Sequence, residues 1–401
     1  MATVSTGTGL TAQPGTFEGV VDWYARMRAH EPVSWDEQYG AYHLFGYDDI
    51  EAVLSDPITF SSDLTGLMPP QAELELFSRG NFVRMDPPRH DKLRRLVSKA
   101  FTPRVVAELA PRITTITDEL LDAVAGSPSF DLVQALAYPL PVTVIAELIG
   151  VPASDRDEFR RWADSLLNAQ LPERVIPDQA RLDQAGERLR AMIDYLLAHI
   201  RQRRRSPADD LTTTLIAAEV DGEHLTDEEI VGFLGVLLIA GHITTTTLLT
   251  NTVWCLDDNR DAATAVRRDP AKIAPMLEEV LRFRSPFPRL ARLTTTEATV
   301  GGQRIAAGKI LMPWVASANR DEKRFPHPDR FDPDRNPNQH LAFGHGIHFC
   351  IGAPLARLEA RLAMTILLER CRDIEIADGA EFYDARMMTG AHTLPLQVTW
   401  I

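Results

Sequence analysis

The stretch Phe343-Gly344-His345-Gly346-Ile347-His348-Phe349-Cys350-Ile351-Gly352 sets one cysteine in a glycine-punctuated turn, directly ahead of a helical pattern from Ala353 to Cys371. Gly344, Gly346 and Gly352 permit positive φ and a close backbone approach to a flat cofactor. Amide N–H groups of such a turn can point at the sulfur, and the positive end of the following helix favours the ionised thiol that binds metal. This is the setting a thiolate ligand to haem iron requires, and an anionic sulfur ligand favours O–O cleavage over oxygen carriage. His345, His348 and Cys350 could instead be zinc ligands, but a closed zinc site needs four, and no partner pair lies at finger-like spacing.

The ten residues resemble the haem-binding signature of the cytochrome P450 family, Phe-Gly-x-Gly-x-His-x-Cys-x-Gly, with Ile351 where Leu is usual. The resemblance runs over nearly the whole chain and points to soluble bacterial members of about this length. It implies one mainly α domain over residues 1–401, helix-rich with small β-sheets. Haem b would lie between a long central helix at 226–257 and the helix after the cysteine loop at 343–352. Cys350 would be the metal ligand, with Phe343 and Gly344 beside the cofactor.

The rest of the chain agrees with an intracellular protein of this size. Its 401 residues are 45% hydrophobic, enough for a large core, and the net charge of −14 argues against nucleic acid or an anionic membrane as main partner. Three cysteines, Cys255, Cys350 and Cys371, are too few for a disulfide framework and fit a reducing cytosol. Met1 to Phe17 show no basic or apolar segment of a signal peptide, so a cytoplasmic location is expected. From Ile230 to Leu256 no Asp, Glu, Lys or Arg occurs, long enough to span a bilayer. Its threonines, His242, Asn251 and acidic flanks favour a core helix buried on all sides, with no membrane anchor.

Helical periodicity marks segments around 17–30, 47–55, 88–100, 104–125, 139–150, 154–168, 178–204, 226–257, 271–283 and 353–371. Ala41 to Phe45, Ala291 to Val300, Ile310 to Pro313 and Leu394 to Trp400 read as strands. Residues 57–88 are too broken by Pro and Gly for a regular element and read as a functional lid loop.

Matching motif positions assign the remaining roles. The resemblance implies that His90, Arg94, Arg292 and His348 bind the haem propionates, whose charge must be compensated on entering the protein. Glu279, Arg282 and Arg335 match a buried triad that holds the cysteine loop in register. Ala240-Gly241-His242-Ile243-Thr244-Thr245 matches the oxygen-binding segment: Ala240 and Gly241 leave room for dioxygen, and a threonine bonds to the carbonyl four residues back, bending the helix. Thr244, with Thr245, helps deliver protons. Ile243 stands where the family carries an acid, so water, Thr244, Thr245 or His242 must substitute, and an acid restored at 243 is expected to improve coupling. Pocket walls are expected from Phe82, Val83, Val236, Ile239, Ile243, Phe287, Pro288, Leu290, Met387 and Met388, which implies a bulky hydrophobic substrate.

The activity implied is insertion of one atom of O2 by hydroxylation or epoxidation, in bacterial secondary metabolism such as polyketide, macrolide or terpenoid tailoring. Electrons would come from NAD(P)H through a ferredoxin and ferredoxin reductase, with a monomeric enzyme and docking on Arg89, Lys92, Arg95, Lys99 and Arg104. The alternatives are a peroxide-driven or nitric oxide-reducing enzyme of the same fold, which needs no acid at Ile243, and a non-catalytic haem-thiolate gas sensor.

Overall fold

The computed structural model describes residues 15–67, 72–155, 161–162 and 179–401. The helices are α1 Phe17–His30, α2 Tyr47–Ser55, α3 Ala72–Ser78, α4 Arg89–Ala100, α5 Pro103–Glu108, α6 Ala110–Asp122, α7 Pro139–Ile149 and α8 Gln179–Arg205. They continue with α9 Leu211–Ala217, α10 Asp227–Asp258, α11 Arg260–Arg268, α12 Ile273–Phe283, α13 Val315–Ala318 and α14 Ala353–Arg370. Helix α10 is the axis of the helical layer, with α3, α7, α8, α12 and α14 packed on it. It starts at a capping box: the Glu229 amide donates to Thr226 Oγ1 at 3.2 Å, and the Thr226 amide donates to Glu229 Oε2 at 3.0 Å. In its most apolar window 78% of the residues are buried inside the protein, so the membrane-length stretch is core.

A second layer is a five-stranded sheet of β1 Val33–Asp36, β2 Ala41–Leu44, β3 Phe60–Ser61, β7 Arg292–Thr294 and β10 Ile310–Pro313, in the order β1-β2-β10-β7-β3. Only the β2–β10 pair is parallel. Trp23, Phe45 and Trp314 pack its aromatic core, with the Trp23 and Trp314 rings edge-on at 5.0 Å. Smaller sheets are made by β4 Ser129–Asp131 with β11 Cys371–Ile376 and β14 Pro395–Trp400, and by the hairpins β5 Glu219–Val220/β6 Glu223–His224, β8 Ala298–Val300/β9 Gln303–Ile305 and β12 Glu381–Phe382/β13 Ala391–Thr393.

Several expected elements differ for identifiable reasons. The helix expected over 104–125 is two, because Pro111 cannot donate to the carbonyl of Ala107 and its ring crowds that turn. The strand expected over 291–300 splits after Thr294: Thr295 leaves to bond the Thr59 carbonyl at 2.9 Å, and the chain re-enters a separate hairpin turned by Gly301 and Gly302 at φ +55 and +78. Residues 57–88 contain β3 and α3 rather than irregular chain throughout. Helix α3 and the turn after it pack on α10, where a Cβ on Gly80 would lie 1.9 Å from the Glu229 carbonyl oxygen, so only glycine fits. Most of the helix expected at 154–168, and Met1 to Pro14 of the amino-terminal segment, lie outside the described residues.

Candidate active site

The cysteine loop is closed by the Cys350 amide donating to the Phe343 carbonyl at 2.9 Å. Gly344 and Gly346 take φ of +73 and +68, and a Cβ on Gly346 would lie 2.5 Å from the Leu54 carbonyl oxygen, so the loop seats on the end of α2. Gly352 differs from expectation: it is an ordinary right-handed residue at φ −80 that leads into α14. Burial pushes the Cys350 thiol up, while the Gly352 and Ala353 amides and the charges of Arg94 and Arg357 pull it down. The loop and helix-end amides thus act in the direction the sequence suggests, toward the thiolate, against the cost of burying the sulfur.

Around Cys350 three distant segments bring basic side chains together. On α4, His90 and Arg94 share one face; Arg94 Nη2 donates to the Phe349 carbonyl at 2.6 Å. The His90 and His348 rings meet at 4.5 Å between centroids. Arg292, at the start of β7, is buried, and that burial pushes its guanidinium down to about 10, opposed only by Asp86. His348 is pushed down to about 3, first by burial and then by Arg292, His90 and Arg94, so it is neutral. His90 Nδ1 pairs with Asp91 Oδ1 at 2.9 Å, leaving Nε2 buried with no hydrogen-bond partner. A flat cofactor carrying two carboxylates fits this set: its anions would be received by these basic side chains, and Cys350 would be the residue to hold its metal. Zinc does not fit, because among the described residues no three His, Cys, Asp or Glu side chains converge.

The structure brings Glu279, Arg282 and Arg335 together. Glu279 accepts two bonds from Arg282 at 2.8 Å and two from Arg335 at 3.1 Å, plus the Asp332 amide at 2.9 Å. Arg282 also donates to the carbonyls of Asn319, Pro328 and Arg330, which pins the chain leading to the cysteine loop. Sequence reasoning missed the neighbouring Glu278. It takes two bonds from Arg357 of α14 at 2.7 Å and one from His340 at 3.1 Å. Burial raises the Glu278 carboxyl, but those partners prevail and hold it at about 2. Only its place beside Glu279, on the turn facing α14, could have hinted at it.

On α10, Thr244 Oγ1 donates to the Ala240 carbonyl at 2.7 Å, the back-bond expected of the oxygen-binding segment. Thr245 repeats it to Gly241 at 3.2 Å. The small pair divides its duties: Ala240 is exposed, whereas Gly241 faces α7, where a Cβ would lie 2.5 Å from Ile145 Cδ1. Gly241 is therefore a packing residue. His242 is turned away from Thr244; its Nδ1–H donates to the Leu238 carbonyl at 2.8 Å and its ring stands edge-on to Tyr138.

Ile243 is 1% exposed and packs with Met388, Phe287 and Tyr383 in an apolar cluster separate from the main cores. Asn251 secures that cluster by donating to the Arg284 and Thr389 carbonyls, joining α10 to the β12–β13 hairpin. Phe82 stacks on Phe233 of α10 at 6.0 Å and lies under the Arg94 guanidinium. The other expected wall residues have these surroundings. Val236 and Ile239 pack into the helical core, Leu290 packs against the sheet core, Met387 Sδ accepts from Arg289 at 3.0 Å, Pro288 is buried with its carbonyl bonded by Ala316, and Val83 is 48% exposed.

Comparison with known proteins fits this geometry. A family model described as Cytochrome P450 matches residues 32–399. The erythromycin C-12 hydroxylase of Saccharopolyspora erythraea is 45% identical over 88% of this chain and 87% of its own length. The cyclomarin C epoxidase CymV of Salinispora arenicola is 41% identical over 93% of this chain and 94% of its own. The ligand-free structure of cytochrome P450 TbtJ1 superposes with a TM-score of 0.88 at 45% identity, covering 95% of this chain and 98% of that one.

Proposed function

The chain belongs to the cytochrome P450 family, and from that premise we propose that Cys350 is the axial thiolate of a haem b whose propionates are received by His90, Arg94, Arg292 and His348. It is a P450 monooxygenase whose relatives hydroxylate and epoxidise secondary metabolites. Thiolate-ligated haem, when bound, supplies the activation of O2 and the insertion of one oxygen atom into a C–H or C=C bond. The convergence of four basic side chains beside Cys350 is the observation that carries the ligand set.

The protein's own residues divide the remaining work. Glu279, Arg282 and Arg335 hold the loop so that Cys350 keeps its position. Arg94, bonded to the Phe349 carbonyl, links the propionate end to the thiolate end of the site. Thr244, with its hydroxyl proton committed to Ala240, has oxygen lone pairs free to accept from water, and so orders the solvent that brings protons to the oxygen site. Ile243, Met388 and Phe287 exclude water from the substrate side.

The substrate is a bulky hydrophobic secondary metabolite of the polyketide, macrolide or terpenoid kind; relatives named for erythromycin and cyclomarin support that range. Electrons come from NAD(P)H through a ferredoxin and its reductase, to a monomeric, cytoplasmic, single-domain enzyme with residues 57–88 as the roof of the pocket. A peroxide-driven reaction is favoured by one observation, the apolar surroundings of Ile243, which leave that position without a proton relay.

Two measurements test the proposal. The reduced carbon monoxide complex should show the long-wavelength Soret band of thiolate ligation, and Cys350→His should lose it; persistence of the band overturns the ligand assignment. Product formed with NADPH and a surrogate ferredoxin system, against product formed with hydrogen peroxide alone, separates the two reactions.

A further inference from the structure

Helix α4 presents two charged faces. His90 and Arg94 turn to the cysteine loop, whereas Lys92, Arg95 and Lys99, three and four residues apart, form a second stripe on the outer side. That stripe is the centre of the basic surface proposed above for an acidic ferredoxin, and the present inference rests on that docking reading. The stripe is already occupied by the hairpin β5–β6. Lys92 Nζ pairs with Glu223, Arg95 Nη1 lies 3.6 Å from Asp221 Oδ2, and Lys99 Nζ donates to the Glu219 carbonyl at 2.7 Å. The turn places Asp221 at φ +57 and Gly222 at φ +80, which holds the Asp221 carboxylate out at the tip, 80% exposed. The outer basic residues of the same surface have weaker claims on solvent charges: Arg89 Nη2 donates to the Arg79 carbonyl at 2.8 Å and Arg104 pairs with Glu108 at 3.2 Å.

We infer that the carboxylates of this hairpin are an internal competitor for the acidic electron donor, occupying Lys92 and Arg95 until the donor displaces them. Exposed ion pairs of this kind are weak and screened by salt, so exchange is easy in both directions. Docking trades one pair of carboxylates for another rather than filling a bare cationic stripe. The donor therefore binds less tightly than the stripe alone would allow and leaves more readily after its electron has passed, which suits a partner that must dock twice per turnover.

The test is a double-mutant cycle on the haem-loaded enzyme, titrated with a purified acidic [2Fe–2S] ferredoxin by calorimetry at low and at high salt. Asp221→Asn with Glu223→Gln removes the competing charges; Asn tolerates the positive φ at 221. This variant should bind about 3- to 10-fold tighter at low salt and lose the advantage at high salt. Lys92→Gln with Arg95→Gln should weaken binding, and adding the hairpin changes to that background should do nothing further. An equal gain in both backgrounds means general charge repulsion and overturns the competitor. Unchanged binding of the hairpin variant, with Lys92→Gln/Arg95→Gln weakened, overturns the competitor and leaves the docking surface standing. Wild-type binding by Lys92→Gln/Arg95→Gln, or no saturable binding by any of the four proteins, overturns the docking reading itself.

Discussion

The two walls of the site are built from different materials. The thiolate side is held by ion pairs, the buried Glu279 with Arg282 and Arg335 and the half-buried Glu278 with Arg357 and His340, both anchored on α12 and tied to the chain on either side of Cys350. On the oxygen side Thr244, Thr245 and Thr247 bond to carbonyls of their own helix, and Ile243 packs in an apolar cluster with Phe287, Tyr383 and Met388. A buried carboxylate between guanidinium groups tolerates little substitution, because each partner left behind is an uncompensated charge. An apolar wall is tolerant, because any side chain of similar volume can fill it. The thiolate side can thus stay constant in geometry while the oxygen side varies with substrate and proton route.

Removing the ion at the centre of the first wall should have the largest effect. Glu279→Ala leaves Arg282, which is fully buried, and Arg335 without their anion, costing about 3 to 5 kcal/mol. Loss of haem incorporation or of soluble folded protein is expected; a haem-replete Glu279→Ala protein with an unchanged urea midpoint would break the contrast between the walls.

Putting an ion into the second wall comes next. Ile243→Asp buries a carboxyl against Met388 and Phe287, which should lower stability by about 2 to 4 kcal/mol and raise the carboxyl's own pKa. Product formed per NADPH should not improve, contrary to the expectation drawn from the motif alone. A gain in coupling at full stability would show that water reaches this position and that the wall is less dry than its packing indicates.

These two sites also show what a sequence can and cannot convey. Cys350 with its glycines, Glu279 with Arg282 three residues on, and Thr244 four residues after Ala240 are local patterns, set by turn and helix geometry, and they were legible. Ile243 was recognised as a departure, but its surroundings come from residues 44 to 145 positions away, which no period in the chain reports. For the same reason Glu278, whose partner Arg357 is 79 positions distant, and the acidic hairpin on α4 went unseen. Gly241 and Gly352 were read as cofactor-related because glycine fits several demands, and only the positions of Ile145 and of the α14 start distinguish among them.

Glu278 offers a finer measure of the ionic wall. Its folded-state carboxyl lies at about 2, below the ordinary 4.5, so its contribution is complete above 4.5 and is lost as pH falls toward 2. The stability gap between wild type and Glu278→Gln should be constant from neutral pH to about 5 and narrow below 4.5. A gap that closes already between pH 7 and 5 would mean that another group carries the effect.

The smallest stability change, and the one that separates chemistry from scaffolding most cleanly, is expected at Thr244. Thr244→Val keeps the branched shape and deletes only the hydroxyl, whose proton bonds within its own helix at Ala240. The Ala240 carbonyl keeps its place in the helical ladder, so the urea midpoint should shift by less than about 1 kcal/mol. Haem content and substrate affinity should be those of wild type, because neither the propionate cluster nor the apolar wall includes this hydroxyl. Coupling should nevertheless fall, with reducing equivalents leaving as hydrogen peroxide, since the ordered water at the oxygen site loses its anchor. If Thr244→Val couples as well as wild type, protons arrive by another route. His242 is turned toward Tyr138 and Ile243 cannot ionise, so a peroxide-driven reaction, in which the oxygen arrives already reduced, would then explain the missing acid better than monooxygenation does.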